Sequence, residues 1–233
     1  MNRAAILAID TSGSFCSVAL RGENGQVFER VSLGAGDHFE QLPRLVSAVC
    51  DDARIVVSSL CEIRVGAGPG SFTGLRIGMS YAKGLAVGVH APLVPVSSFY
   101  GAALRVASAT PEAKRIMVVS DARRDEVFLG QFEVHGGRCE EIGPESIVSR
   151  GQLLQVVTAH PGCLVVSPLK GFTIEGVPLL EEPLLAAGLL LAESSRAPYS
   201  VGEVALVEPN YVRGVSAKTI EERRGEERGL TLC

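Results

Sequence analysis

Ile6-Leu-Ala-Ile-Asp10 is an apolar strand closed by a carboxylate, and Ile116-Met-Val-Val-Ser-Asp121 repeats the pattern in the second half of the chain. Each is followed by a hairpin. After Asp10, residues 15–20 read as a second strand, Asn24-Gly25 as a turn and residues 26–33 as the returning strand. Asn-Gly predicts a two-residue turn, because both central residues of that turn take positive φ. After Asp121 the order recurs: a strand at 126–132, a turn at His135-Gly136-Gly137 and a return from Arg138. Asp10 and Asp121 hold equivalent places. A strand–Asp–hairpin unit used twice predicts two related lobes.

Helical periods fill the gaps between these units. Residues 37–50 place Phe39, Leu42, Leu45, Val46 and Val49 at a 3.6-residue period, with Asp37 as the expected N-cap. A short strand at 61–66 leads into a glycine-rich loop and a helix at 73–89. A strand at 93–96 and a helix at 97–107 follow. The second half adds a helix at 150–159, a strand at 163–166 and an apolar helix at 182–195. The predicted organisation is an N-terminal lobe at 1–108, a C-terminal lobe at 109–213 and a charged, disordered tail at 214–233. Alternating strands and helices around a duplicated strand–Asp–hairpin give an α/β fold with mixed sheets. The pattern is that of the two-lobed actin/hexokinase/Hsp70-like (ASKHA) superfold.

Composition narrows the function. Among 233 residues, 46% are apolar and 21% charged, as in an ordinary globular chain. The net charge of −4 argues against a stand-alone nucleic-acid binder, which carries a basic footprint. The N-terminal apolar stretch stops at Asp10, too soon for a secretory core, and no run approaches the ~20 residues of a membrane span. A cytoplasmic protein is expected. The six cysteines show no C-x-x-C pair and read as free thiols.

Three segments are candidates for chemistry. Gly66-Ala-Gly-Pro-Gly-Ser-Phe-Thr-Gly-Leu-Arg-Ile-Gly78 has the look of a phosphate loop but lacks the Lys of a Walker A motif. It also lacks the third glycine of a dinucleotide fingerprint, since counting from Gly68 and Gly70 that place is Thr73. Gly74, Gly78, Ala82 and Ala86 line one helix face, so close packing is the leading reading and a phosphate-type ligand the sharper one. Asp10-Thr11-Ser12 is either a turn ending a strand or, with Asp121, Gly68 and Gly70, a nucleotide or phosphate site. His38 would need a second ligand one helical turn on; Leu42 stands there and cannot ligate, so no metal site is predicted. No catalytic constellation assembles from the remaining histidines.

Ile9-Asp-Thr-Ser12, His38-x-Glu-Gln-Leu42, Val65 through Gly78, Val96-Ser-Ser98, Asp121-Ala-Arg123 and Pro209-Asn-Tyr-Val-Arg213 together resemble the bacterial TsaB family, also called YeaZ. The resemblance implies a non-catalytic paralogue of TsaD, the transferase that places threonylcarbamoyl on N6 of the adenosine 3′ to the anticodon in tRNAs reading ANN codons. It implies a TsaD heterodimer made by the first two helices of the N-terminal lobe, joined by a TsaE-type ATPase, with tRNA met only through the complex. TsaD relatives carry a His-x-x-x-His metal pair; this chain has His38 but Leu42. The interface candidates are His38, Phe39, Leu42, Leu45, Leu75, Ile77, Gly78, Met79 and Ala82. The same helices could pair two copies when the partner is absent. No tightly bound cofactor is expected of the chain alone, with ATP or ADP and Mg²⁺ admitted in the complex. The alternative from another class is an ATP-binding phosphotransferase or ATPase with Asp10 and Asp121 as metal-positioning carboxylates.

Overall fold

The computed structural model describes residues 5–32, 37–193 and 198–212; the expected tail at 214–233 lies outside them. Two five-strand paths of matching order make the framework. In the first sheet, β1 (Ala5–Asp10) pairs antiparallel with β2 (Ser17–Arg21), which pairs with β3 (Val27–Val31). On its other side β1 is parallel to β4 (Leu60–Gly66), and β4 to β5 (Leu93–Val96). The second sheet repeats the plan. Here β6 (Arg115–Arg123) is antiparallel to β7 (Glu126–His135), which pairs with β8 (Arg138–Glu141) at one end and β9 (Ser146–Ser149) at the other. On its other side β6 is parallel to β10 (Leu164–Ser167), and β10 to β11 (Leu180–Glu181). Asp10 and Asp121 fall at corresponding places on β1 and β6. The duplicated mixed sheets are the ASKHA architecture expected from the sequence.

The two-residue alternation of the strands builds the layers. Leu7 and Ile9 of β1 face α1 (His38–Ala53) and α2 (Phe72–Val89), meeting Leu42, Val46, Met79 and Ala82. Ala8 and Ala19 face the other way. They meet α3 (Ser98–Ala109) and α5 (Ala186–Leu191), on whose far side lie Ile116, Val118 and Phe132 of the second sheet. Met117 and Val119 then turn outward to Leu153 of α4 (Arg150–Ala159). The inward alanines let two helices fit between two sheets.

Local details differ from expectation in three places. At the first hairpin only Gly25 takes positive φ (82°), because Gly22 and Gly25 close a longer loop through Gly25 N–H to Gly22 O (2.9 Å). The two-residue turn with both φ positive occurs at Gly136-Gly137 instead, where His135 pairs with Arg138. The helix expected at 182–195 shrinks to Ala186–Leu191. Pro183 removes an amide donor at its front, and Glu182 N–H extends the β11 ladder to Ser167 O. At its back, the Arg64 guanidinium takes the Leu189 and Ala192 carbonyls at 2.9 and 2.6 Å, supplying partners that a helix end lacks. Asp37 holds the N-cap place of α1, but its side chain makes no capping hydrogen bond.

The chain ends its described course back on the first lobe. Tyr199 and Leu93 exchange backbone hydrogen bonds at the free edge of β5, and Asn210 N–H donates to Ala67 O (2.7 Å). Val204 and Val207 join the core under α2. No helix among the described residues is long and apolar enough to cross a membrane.

Candidate functional site

The glycine-rich loop runs from the end of β4 into α2 and is folded onto residues 10–12. Ser71 N–H donates to Ser12 O (2.8 Å), the Thr11 hydroxyl donates to Gly74 O (2.7 Å) and Ser71 Oγ caps α2 by accepting from Gly74 N–H (3.2 Å). The glycines exist for this approach. A Cβ on Gly66 would meet Asp10 Oδ2 and Ser98 Oγ; on Gly70, Ser12 O; on Gly74, Thr11 O; on Gly78, Thr11 Oγ1, all closer than 3.0 Å. The small-residue face of α2 therefore packs within the chain, against the end of β1.

Asp10 is 1% exposed. Its Oδ1 accepts from Ser12 N–H (2.8 Å) and Ser12 Oγ–H (2.5 Å). Burial pushes the carboxyl above its ordinary value of 3.8, opposed by the Ser12 hydrogen bonds, the Ser98 hydroxyl and, least, His38. Burial, then the Asp10 charge, pushes the neighbouring Cys16 thiol up to about 12.

Between the lobes lies a cleft of about 580 Å³. Of the nucleotide or phosphate candidates, Ser12, Gly70 and Asp121 line it; Asp10, Thr11 and Gly68 do not. Its walls are Phe72, Leu75, Phe128 and Leu184. Asp121 Oδ1 accepts from Arg123 N–H (3.0 Å) at the mouth, where Arg123, Arg124 and Asp125 all hold positive φ.

The outer face of the first two helices is different in kind. Phe39 is 78% exposed and Phe72 46%. With Pro43, Ile77 and Tyr81 they border a groove of about 1010 Å³. The Arg76 guanidinium stacks 3.9 Å over the Phe72 ring, whose other neighbour is Tyr211 at 5.4 Å. Of the interface candidates, Phe39 is exposed, His38, Leu45 and Ile77 are half-buried, and Leu42, Leu75, Gly78, Met79 and Ala82 are buried within the chain. The last five hold the helices to the sheet and the loop; they shape the outer face without forming it. Among the described residues no three His, Cys, Asp or Glu side chains could hold a metal ion.

A family model described as TsaD, tRNA N6-adenosine threonylcarbamoyltransferase, matches residues 32–178. The tRNA threonylcarbamoyladenosine biosynthesis protein TsaB of Escherichia coli strain K12 is 33% identical over 156 residues, 64% of this chain and 67% of that protein. The chain belongs to the TsaB (YeaZ) family. The TsaB of Bacillus subtilis strain 168 is 32% identical, over 65% of each chain, and that of Haemophilus influenzae 33% identical over 56% of this chain and 55% of that one. The match thus spans between about half and two thirds of the curated relatives. YeaZ from Pseudomonas aeruginosa superposes with a TM-score of 0.76 at 27% identity, covering 89% of this chain and 99% of that one.

Several residues of this outer face were not singled out from sequence: Pro43, Phe72, Tyr81 and Tyr211. The signal was present in spacing. Phe72, Arg76 and Ser80 follow at four-residue steps, as do Thr73, Ile77 and Tyr81, opposite the buried Leu75, Gly78, Met79 and Ala82. Ser98, buried beside Asp10, was quoted in a motif but given no role.

Proposed function

We propose that this chain is a non-catalytic scaffold subunit that docks onto a TsaD-type transferase and activates it for N6-threonylcarbamoylation of the adenosine 3′ to the anticodon in ANN-decoding tRNAs. The observation that carries the reading is the exposed aromatic and aliphatic face of α1 and α2, with Phe39 and Phe72 at its centre. Exposed apolar patches of this kind mark partner surfaces, and buried aromatic anchors supply most of the affinity in such contacts. A TsaE-type ATPase would join the pair, with tRNA reached through the complex in the cytoplasm. The phosphotransferase alternative is less well supported. Its first carboxylate, Asp10, is turned into the protein and does not line the cleft.

The test is calorimetric titration of the purified transferase into wild-type chain, Phe39→Asp and Ile77→Asp, paired with nucleoside mass spectrometry of tRNA after reconstitution. Loss of a central aromatic anchor costs at least ~2 kcal/mol, so binding of Phe39→Asp should weaken roughly 30-fold or more. Modified adenosine should fall with it, while the melting temperature stays put. Wild-type affinity in both variants would overturn the placement of the interface. Full modification in the absence of this chain would overturn the scaffold role.

A further inference from the structure

Arg76 is an exposed cation whose position is already set. It follows Phe72 by one turn of α2, and its guanidinium lies 3.9 Å over the Phe72 ring. Its Nε–H donates to the Tyr211 hydroxyl (3.3 Å), and the Tyr211 ring stands 5.4 Å from that of Phe72. Three side chains thus hold one another at the edge of the α1 and α2 face. The two terminal nitrogens of Arg76 stay free: among the described residues it makes no ion pair and no other hydrogen bond.

The surroundings of Arg76 are divided. On one flank is the apolar groove bordered by Phe39, Pro43, Ile77 and Tyr81; on another is a hollow of about 260 Å³ that Ser80, Lys83 and Glu208 help to line. The carboxylates at hand are Glu40 and Glu208, and neither comes within ion-pair distance of Arg76. Arg44, exposed on the α1 side of the groove, is also without an ion pair among the described residues. The groove therefore carries two guanidinium groups against one carboxylate, on a chain whose net charge is −4.

A guanidinium stacked on an aromatic ring keeps its edge open for a planar, two-pronged carboxylate, and its order is set before any partner arrives. A phosphate backbone suits the place less well, because the groove walls are apolar and Glu40 borders them. We infer that Arg76 selects the partner of this face by taking the carboxylate of an Asp or Glu side chain on the docking protein, beside an apolar side chain seated in the groove. Tyr211 is a positioning residue that acts through the guanidinium. The inference rests on the docking function proposed above and specifies it: the matching patch on the partner is apolar with an acidic residue at its edge.

The test is calorimetric titration of the purified transferase into the full chain and its Arg76→Met, Arg76→Lys and Phe39→Asp variants, at low and high salt. Arg76→Met should bind roughly 30-fold or more weakly than wild type, with a shallower salt dependence and an unchanged melting temperature. Arg76→Lys keeps the charge but loses the stacked fork, and should bind about threefold or more weakly. Tyr211→Phe should weaken binding in the wild-type background and add nothing to Arg76→Met. Full affinity in Arg76→Met, with Phe39→Asp still weakened, overturns the inference and leaves the docking face in place. Full affinity in both overturns the docking face as well. Wild-type affinity in Arg76→Lys overturns the two-pronged carboxylate, and equal losses from Tyr211→Phe in the two backgrounds overturn its positioning role. A gel shift with unmodified tRNA alone separates the other class of partner: tRNA binding lost in Arg76→Met, with transferase affinity untouched, would assign Arg76 to a phosphate and overturn the inference.

Discussion

Replacing Gly78 by alanine tests whether α2 owes its small residues to contacts inside the chain. A Cβ at Gly78 would press on Thr11 Oγ1, closer than the 3.0 Å that Cβ atoms do not breach, with Thr11 Cβ at 3.4 Å behind it. The hydroxyl must move, and it then loses its hydrogen bond to Gly74 O. Leaving that buried hydroxyl unsatisfied costs ~1–3 kcal/mol, and overpacking strain adds ~1–3 kcal/mol. Helix propensity returns ~1 kcal/mol. The net expectation is a destabilisation of about 1–5 kcal/mol, or roughly 3–15 °C in melting temperature for a chain of this size. Gly84 and Gly88 are internal controls, since a Cβ on either meets nothing within 4 Å. Gly84→Ala should stabilise by up to ~1 kcal/mol. Thr11→Ala removes the clashing oxygen and leaves a Cβ at an ordinary distance, so Gly78→Ala should cost at least ~1 kcal/mol less in that background. Urea unfolding of the four proteins and the double variant provides the cycle. If Gly78→Ala melts with Gly84→Ala, or if its cost is the same with and without Thr11, the reasoning fails.

The buried Arg64 guanidinium pairs with Glu62 (2.6 Å) and holds two carbonyls at the end of α5; Arg64→Met should therefore destabilise by ~3–5 kcal/mol in urea unfolding, and a loss under ~1 kcal/mol would refute its role. Asp10 has a raised pKa, so the folded state binds its proton more tightly than the unfolded chain does. The stabilisation is complete below about 3.8 and is lost as pH rises through the raised value. The stability of Asp10→Asn relative to wild type should accordingly rise across that window, and a flat difference between their unfolding midpoints would contradict the assignment. Burial pushes Cys16 up to about 12 and Cys139 up to about 11. At pH 8 iodoacetamide should leave both unmodified in the folded chain, as peptide mass mapping would show, and alkylation at the rate of an exposed thiol would count against their burial.

The duplicated strands were legible because two continuous apolar runs, each closed by Asp, recur in the sequence, and a strand buried on both faces is as apolar as that. Which side of α1 and α2 faces outward was harder. Leu42, Leu75 and Met79 look like partner contacts in a linear reading, yet the sheet beneath claims them, and only the place of Thr11 against Gly74 and Gly78 fixes the rotation of α2. The pocket at Asp10 was hidden for another reason. Ser98 reaches it from a segment far along the chain, and nothing local marks a buried neighbour of Asp10. Helix α5 was overestimated because an apolar run tells of burial before it tells of length. Pro183 and the Arg64 clamp set its ends.

The return of residues 198–210 to the first lobe has a consequence for synthesis on the ribosome. Tyr199 covers the edge of β5, and Asn210 fastens the loop that leads into α2. A nascent chain that has emerged only as far as α5 therefore carries α1 and α2 on a lobe with a bare strand edge and an unfastened loop. The half of the molecule made first is finished last. A product terminated before residue 199 would expose the unpaired backbone of β5, a template for aggregation and a mark for proteolysis.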